Sequence, residues 1–240
     1  MTTVAIVLAG GSGSRMAQAD NKVYLPLAGR TLLAWSLDIF ERADEVDRLV
    51  LVVRDGDQER ARAVIAELAS NKLTDIVTGG LTRHESEHAG LESIAGDILL
   101  GNVDLVTIHD AARPFVTQGL LEDILTTARR VGGAVPGLEL GGEFLLRVGG
   151  DEPPSPVSTT ELRRVQTPQA FHAAALLEAY RRASAAGFHG KDTAESVERF
   201  SELAVEIVPG DPRNIKVTFV SDLVTAEELA ATWAQVRDGS

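Results

Sequence analysis

The sequence predicts one α/β domain whose mainly parallel sheet is flanked by helices. Two observations carry this. The apolar runs Val4–Ala9 and Leu49–Val53 are uninterrupted, and Leu105–Ile108 is broken only by Thr107, which is the pattern of strands buried on both faces rather than strands with one wet side. Amphipathic stretches of helical length stand between them, so the chain opens as strand, helix, strand, helix, strand, the order that makes a parallel sheet with right-handed crossovers. The 240 residues suffice to bury such a core as a single unit, residues 1–240, without covalent staples. There is no cysteine, which excludes disulfides, thiolate metal sites and cysteine nucleophiles.

The first strand, β-branched at Val4, Ile6 and Val7, empties into Gly10, Gly11 and Gly13, with Arg15 and Lys22 close behind. Glycines let backbone N–H groups approach an anion with no Cβ in the way, and the two cations add the charge that amides lack. A tight strand-to-helix turn with a solvated arginine is the alternative reading of the same residues. The spacing matches neither a P-loop nor a G-x-G-x-x-G fingerprint. Thr31 is placed to cap a helix over 32–40, with Leu32, Leu33, Leu37 and Phe40 on its apolar face. Residues 47–53 form the next strand, 57–69 an amphipathic helix and 75–77 a short strand that ends in Gly79 and Gly80. A polar cluster from Gly79 to Ser86 opens a helix running to about residue 95.

The strand at 105–108 delivers His109-Asp110-Ala111-Ala112-Arg113-Pro114. A helix is predicted over 118–130 and a strand over 134–136. Residues 141–154 are loop-rich and read as a hairpin or arm, so 138–162 is the one candidate subdomain. The chain returns to the sheet over 162–171, forms a helix over 173–186 and opens another from 190–195. The last strand is 205–208, followed by N-I-K-V-T at 214–218 and a C-terminal helix from about residue 221.

Three polar clusters, each with an arginine or lysine, thus fall at three strand ends. Open α/β sheets bind ligands beyond the carboxyl ends of their strands, and one shared ligand explains all three. The net charge of −12 argues against general binding to nucleic acid or anionic membrane, so the cations that matter must be gathered in one cleft. No basic stretch or cleavage site precedes the first strand, and no apolar run approaches the ~20 residues of a membrane span. The expectation is a soluble, cytoplasmic protein. His109 is expected to pack or hydrogen-bond locally. His84, His88, His172 and His189 show no metal-ligand spacing.

Taken together, the clusters resemble the cytidylyltransferases of the methylerythritol phosphate route to isoprenoids and their relatives that activate ribitol 5-phosphate. The resemblance covers nearly the whole chain: A-G-G-S-G-S-R-M at 9–16, K-x-Y-L-P-L at 22–27, G-G-x-x-R-x-x-S at 79–86, H-D-A-A-R-P at 109–114, Q-T-P-Q-x-F at 166–171 and N-I-K-V-T at 214–218. It implies a Rossmann-like nucleotidyltransferase fold, CTP as donor, a polyol phosphate as acceptor, most directly 2-C-methyl-D-erythritol 4-phosphate, a magnesium ion, and a homodimer formed through the arm at 138–162. Transfer to ribitol 5-phosphate or another alditol phosphate, and a paralogue that binds CTP without turnover, are the alternatives. No nucleic-acid or membrane partner is implied.

Attack of an alcohol phosphate on the α-phosphorus of CTP needs no protein nucleophile. Catalysis is positioning plus neutralisation of developing charge. The resemblance assigns Arg15 and Lys22 to the triphosphate and leaving group, and Lys216 to the α-phosphate from the other side. It places backbone groups of Ala9, Gly10 and Gly79 on the cytosine, has Gly11 and Gly13 lining the phosphate loop, sets Ser86 and Asp110 near base and ribose, and has Gly80 and Arg83 shape the loop. Ser86 also suits a helix cap or first turn. Asp110 is placed for ribose or for magnesium, most of whose ligands would be phosphates. Arg113 either reaches the acceptor phosphate or pairs with Asp110. Asp192 is a further acceptor-side residue.

The acceptor half departs from the family pattern. Gly142 and Glu143 stand where the family carries an Asp-Thr pair, Leu145 where a lysine is common, Thr159 where an arm arginine reaches the acceptor phosphate, and Lys191-Asp192 where the family has Thr-Asp. Loss of a bidentate arginine is not conservative. Arg147, Arg163, Arg164 or Lys191 supplies the missing charge, or the acceptor differs, or turnover is lost.

Overall fold

A computed structural model describes residues 1–10, 21–141, 145–146, 155–156 and 162–237. Strand β1 (Thr3–Ala9) leads, beyond the segment 11–20, to a single 3₁₀ turn at Lys22–Tyr24 and a tight ribbon of β2 (Pro26–Leu27) and β3 (Arg30–Thr31). Helix α1 (Leu32–Arg42), strand β4 (Arg48–Val53), helix α2 (Gln58–Leu68) and strand β5 (Leu73–Thr78) follow. Then come α3 (Arg83–Ser93), α4 (Ala95–Leu99), β6 (Leu105–Asp110), α5 (Gln118–Val131) and β7 (Gly132–Glu139). The arm carries β8 (Leu145–Leu146) and β9 (Ser155–Pro156), and the chain returns through β10 (Arg163–Val165) and β11 (Gln169–His172). Helices α6 (Ala173–Ala185) and α7 (Thr193–Phe200), strand β12 (Ala204–Pro209) and helix α8 (Val220–Arg237) complete it.

The main sheet runs β10–β7–β11–β6–β1–β4–β5, with β12 also paired to β7. Neighbours β1, β4, β5 and β6 are parallel, as are β7 and β12, while β10 and β11 run antiparallel to their partners. Gly133 pairs with both Phe171 and Val205, so β11 and β12 flank β7 on opposite sides. Because β11 is antiparallel to both β6 and β7, those two strands point the same way, and the carboxyl ends of β1, β5, β6 and β7 share one edge.

Side-chain alternation along β1 shows why its sequence is unbroken. Ala5, Val7 and Ala9 join a core with α1, α2 and α5, whereas Val4, Ile6 and Leu8 join the opposite core with α3, α4, α6 and α7. Both faces are covered, so no position on the strand favours a polar residue. A smaller third core, with Leu27, Phe115, Val217 and Trp233, seats α8 beside the β2–β3 ribbon. Among the described residues no helix is long and apolar enough to cross a membrane.

Two expectations need refinement. The helix expected from the 79–86 cluster to residue 95 is two helices: Ser93 Oγ donates to the Gly90 carbonyl at 2.8 Å, and Ile94, at φ −113° and ψ 8°, caps the end of one and the start of the next. A serine bonded back to its own helix competes with the backbone ladder at that point. The segment 214–218, for which the sequence predicts no element, forms none and is held by side-chain and backbone hydrogen bonds. The hairpin or arm expected over 141–154 reaches past that bound: among the described residues it shows a two-residue ladder between β8 and β9, apart from the main sheet.

Candidate functional site

The site is built at the shared carboxyl edge. Its centre is Asp110, the last residue of β6, which is 8 % exposed. Lys216 Nζ donates to Asp110 Oδ2 at 2.5 Å and Arg83 Nε to Oδ1 at 3.1 Å, bringing together residues separated by 106 and 27 positions. Burial raises the Asp110 carboxyl, but the Arg83 guanidinium and Lys216 ammonium outweigh it and hold the group well below the usual carboxylate range. Asp110 is therefore an ionised hub between two cations, with both oxygens engaged.

Lys216 arrives there because the segment before it is locked. Asn214, fully buried, donates from Nδ2 to the Thr167 carbonyl at 2.9 Å, and its own carbonyl accepts from Gln166 Nε2 at 3.0 Å and Arg113 Nη1 at 2.8 Å. Val217 N donates to the Ala112 carbonyl at 2.9 Å. Arg113 meets Asp110 through its backbone N–H, which donates to the Asp110 carbonyl at 2.9 Å, and its guanidinium makes no hydrogen bond to the Asp110 carboxylate. Its Nη1 holds Asn214, while its Nε is buried without a partner.

On the other side, Arg83 is the first residue of α3, behind an N-cap at Thr82 whose hydroxyl accepts from Glu85 N, with Glu85 reciprocating on the Thr82 N–H. The cap role considered for Ser86 thus belongs to Thr82. Ser86 Oγ donates to the Thr82 carbonyl at 2.9 Å and faces the glycines that end β1 and β5. A Cβ on Gly79 would lie 2.6 Å from Ser86 Oγ and 3.0 Å from Val52 Cγ1, and one on Gly10 would lie 3.6 Å from the same hydroxyl. Only glycine at 79 permits this approach, and a Cβ on Gly80 would collide with Glu85. The ends of β1 and β5, at Gly10 and Gly79, thus lie close together against the Ser86 hydroxyl.

Lys22 begins the 3₁₀ turn. Asn21, its cap, donates from Nδ2 to the Ala9 carbonyl at 2.6 Å and to Asp57 Oδ2 at 2.9 Å, tying the start of that turn to the end of β1. The candidate residues Gly11, Gly13 and Arg15 lie outside the described residues, as do Gly142, Glu143 and Thr159. Asp192 is the N-cap of α7: Oδ1 accepts from Ala194 N at 3.0 Å and Oδ2 from Gln169 Nε2 at 2.9 Å.

His109 packs, as expected. It is fully buried, with Nε2 3.0 Å from the Arg113 carbonyl and 3.0 Å from Ser36 Oγ, and Nδ1 3.1 Å from Thr167 Oγ1. The Arg113 carbonyl can only accept, so the neutral ring carries its proton on Nε2, and Nδ1 accepts from the Thr167 hydroxyl, whose oxygen also takes the Asp110 N–H at 3.0 Å. Burial depresses its pKa from 6.5 to about 3. The folded state keeps it neutral while the unfolded state takes up a proton, so this ring's contribution is complete above 6.5 and is lost as pH falls from 6.5 toward about 3. Chemical denaturation across that range should show stability falling on acidification by up to ~1 kcal/mol per pH unit, and a His109→Gln variant should flatten the slope. An equal slope in the variant would remove His109 as its cause.

Sequence reasoning missed Glu87, which is fully buried on α3 beside Arg83. It had a detectable signal: residues 84, 87 and 91 share a helix face, so a helix presenting Leu91 to the core presents Glu87 too. Thr167, Gln166 and Asn214, the clamps of the Lys216 segment, were visible only as motif letters.

Residues 3–231 match the family described as 2-C-methyl-D-erythritol 4-phosphate cytidylyltransferase. A protein of that name from Geobacillus kaustophilus is 36% identical over 232 residues, covering 97% of this chain and 98% of its own. Another from Thermobifida fusca is 39% identical over 234 residues, covering 95% and 93%. Among solved structures, 4-diphosphocytidyl-2C-methyl-D-erythritol synthase from Anaerococcus prevotii superposes with a TM-score of 0.82 at 25% identity, covering 96% of each chain. The 2-C-methyl-D-erythritol 4-phosphate cytidylyltransferase from Thermus thermophilus gives 0.73 at 30% identity, covering 94% and 98%.

Proposed function

The chain belongs to the 2-C-methyl-D-erythritol 4-phosphate cytidylyltransferase family, and from that membership and the Asp110 centre we infer how it transfers CMP from CTP to 2-C-methyl-D-erythritol 4-phosphate, releasing pyrophosphate, in isoprenoid precursor synthesis. The observation that carries the residue assignments is Asp110 at the end of β6, holding Lys216 and Arg83, with Arg83 on the same helix as the Ser86 that meets Gly10 and Gly79. The ends of β1 and β5 take the cytosine through backbone groups. Lys22 and Arg15 take the triphosphate, and Lys216 the α-phosphate.

In the reaction an oxygen of the acceptor's phosphate forms a bond to the α-phosphorus. The bond from that phosphorus to the bridging oxygen breaks, and its electron pair leaves with pyrophosphate. No proton has to be removed, so no general base is required, and buried, neutral His109 takes no part. The residues' work is to align two anions and neutralise the charge they build up. Asp110 sets Lys216 at a fixed place before the substrates arrive, which spares its reorganisation during the step.

For magnesium, the donor chemistry of the described residues is the test. Among them no group of three His, Asp or Glu side chains could hold a metal ion, and both oxygens of Asp110 are taken by cations. They do not form a protein cage for the ion, and Asp110 serves as an ion-pair acceptor instead. Magnesium here would be ligated by phosphate oxygens and water, which suits a cation that retains its waters.

We place the acceptor phosphate against Arg113 and Arg164. Arg113 offers a buried Nε with no partner. Burial lowers its pKa against the opposing charge of Asp110, and the positive charges of Arg83 and Arg164 add to the lowering. Arg163 is occupied by Glu139 at 3.5 Å, and Arg147 lies outside the described residues. Arg164→Ala should raise the KM for the acceptor roughly tenfold and leave the KM for CTP unchanged. Equal effects on both substrates, or none, would refute the assignment. Purified protein with CTP and a panel of polyol phosphates, followed by pyrophosphate release, tests the reaction itself. We further propose that the 138–162 arm is a dimer contact, supported by a β8–β9 ladder that, among the described residues, has no pairing with the main sheet.

A further inference from the structure

Glu87 is the fourth member of a chain of contacts that ends at Lys216. One oxygen, Oε1, takes Arg83 Nη1 at 2.5 Å and the Thr193 hydroxyl at 2.5 Å, and the other, Oε2, takes the Tyr180 hydroxyl at 2.7 Å. The carboxyl is completely buried, and no step of the reaction uses it. Arg83 is thereby held between two acids, Glu87 on Nη1 and Asp110 on Nε, with Nη1 also reaching Thr193 Oγ1 at 3.3 Å. Its orientation is fixed from behind, on the side away from Asp110.

We propose that Glu87 is a positioning residue: by clamping Arg83 through Nη1 it fixes the guanidinium on Asp110 Oδ1, and so fixes the Asp110 carboxylate that presents Lys216 to the α-phosphate. The same oxygen reaches Thr193, next to Asp192, so the clamp also ties α3, which carries Ser86 on the donor side, to α7 on the acceptor side. A guanidinium left with its Asp110 contact and only the longer 3.3 Å contact to Thr193 Oγ1 would sample other orientations. The carboxylate would then lose its directional partner on Oδ1. Burial raises the Glu87 carboxyl while Arg83 opposes that rise, which fits a group retained for its contacts at the cost of desolvation.

The proposal rests on the cytidylyltransfer reading, and wild-type turnover of CTP with 2-C-methyl-D-erythritol 4-phosphate is the reference that tests that reading separately. Glu87→Met fills the volume but cannot accept from Arg83. It should lower kcat by about tenfold or more while the KM for CTP stays within about threefold. Glu87→Gln, whose oxygen can face Arg83 and Thr193 while its amide faces Tyr180, should restore kcat to within about threefold of wild type. Tyr180→Phe removes the other hydrogen bond to the same carboxyl without touching Arg83, and should leave kcat within about twofold even if it lowers Tm. Thr193→Val, a change of one atom at the far end of the clamp, should lower kcat by about threefold or more and keeps the test decisive if the methionine variant fails to fold. A kcat unchanged in Glu87→Met or in Thr193→Val, or a loss in Tyr180→Phe as large as theirs, would overturn the proposal and leave Glu87 a structural residue.

Discussion

Lys216→Ala is expected to lower kcat by about 10²-fold or more while the protein remains folded. The ammonium is the only described group that the N-I-K-V-T segment delivers to Asp110, and it stands 39 % exposed at the mouth of the site, so its loss opens no cavity in the core. The transition state spreads negative charge over the α-phosphate and the departing pyrophosphate, and a pre-fixed cation there is worth several kcal/mol, enough for the stated factor. The effect should fall mainly on kcat, because a group that stabilises charge only as it develops contributes little to ground-state affinity. Steady-state kinetics beside a thermal melt separate the two quantities. Wild-type kcat in a folded variant would remove Lys216 from the mechanism.

Asp110→Asn should do comparable damage to turnover and, unlike Lys216→Ala, should also destabilise the fold. The substitution keeps the shape but removes the charge shared by two cations. Breaking a buried pair costs a few kcal/mol, about 2–3 here because Lys216 is partly solvated and its share is screened. The pH dependence has a definite sign. The folded pKa of Asp110 is held below its ordinary value of 3.8, so its stabilisation is present above 3.8 and is lost as the pH falls further. The His109 effect begins higher, from 6.5 downward. Denaturation curves of Asp110→Asn should therefore run parallel to wild type between pH 4.5 and 7 and converge with it only in stronger acid. Convergence near neutrality would point to a different group.

How far the sequence carries the reader varies with the kind of contact. The strands β1 and β4 were legible because burial on both faces leaves a nearly unbroken apolar run, and β6 because Thr107 is the one polar residue before His109. The helix α1 was legible because Thr31 both precedes the apolar stripe and accepts from Ala34 N at 3.1 Å. The residues Gly10, Gly79 and Ser86 were legible as motif members, though only the fold shows that the Gly79 backbone and the Ser86 hydroxyl nearly touch. The fixing of Asp110 was not legible, because its partners come from α3 and from the far end of the chain, and no local rule pairs residues 106 positions apart. Glu87 escaped for a different reason. In Arg83-His84-Glu85-Ser86-Glu87-His88 charge outweighs apolar character, so the stretch reads as a solvated face, yet its buried side includes His84, Ser86 and Glu87. A polar residue is affordable there only because Arg83, Thr193 and Tyr180 satisfy it, and that compensation is purely tertiary.

The most direct test of the account is a product analysis with wild-type protein, CTP and 2-C-methyl-D-erythritol 4-phosphate, following pyrophosphate and the cytidine diphosphate ester together. The account predicts that the two appear in equal amounts, that omission of either substrate abolishes both, and that Lys216→Ala suppresses both alike. Thermal stabilisation by CTP with no pyrophosphate and no ester under the same conditions would contradict it.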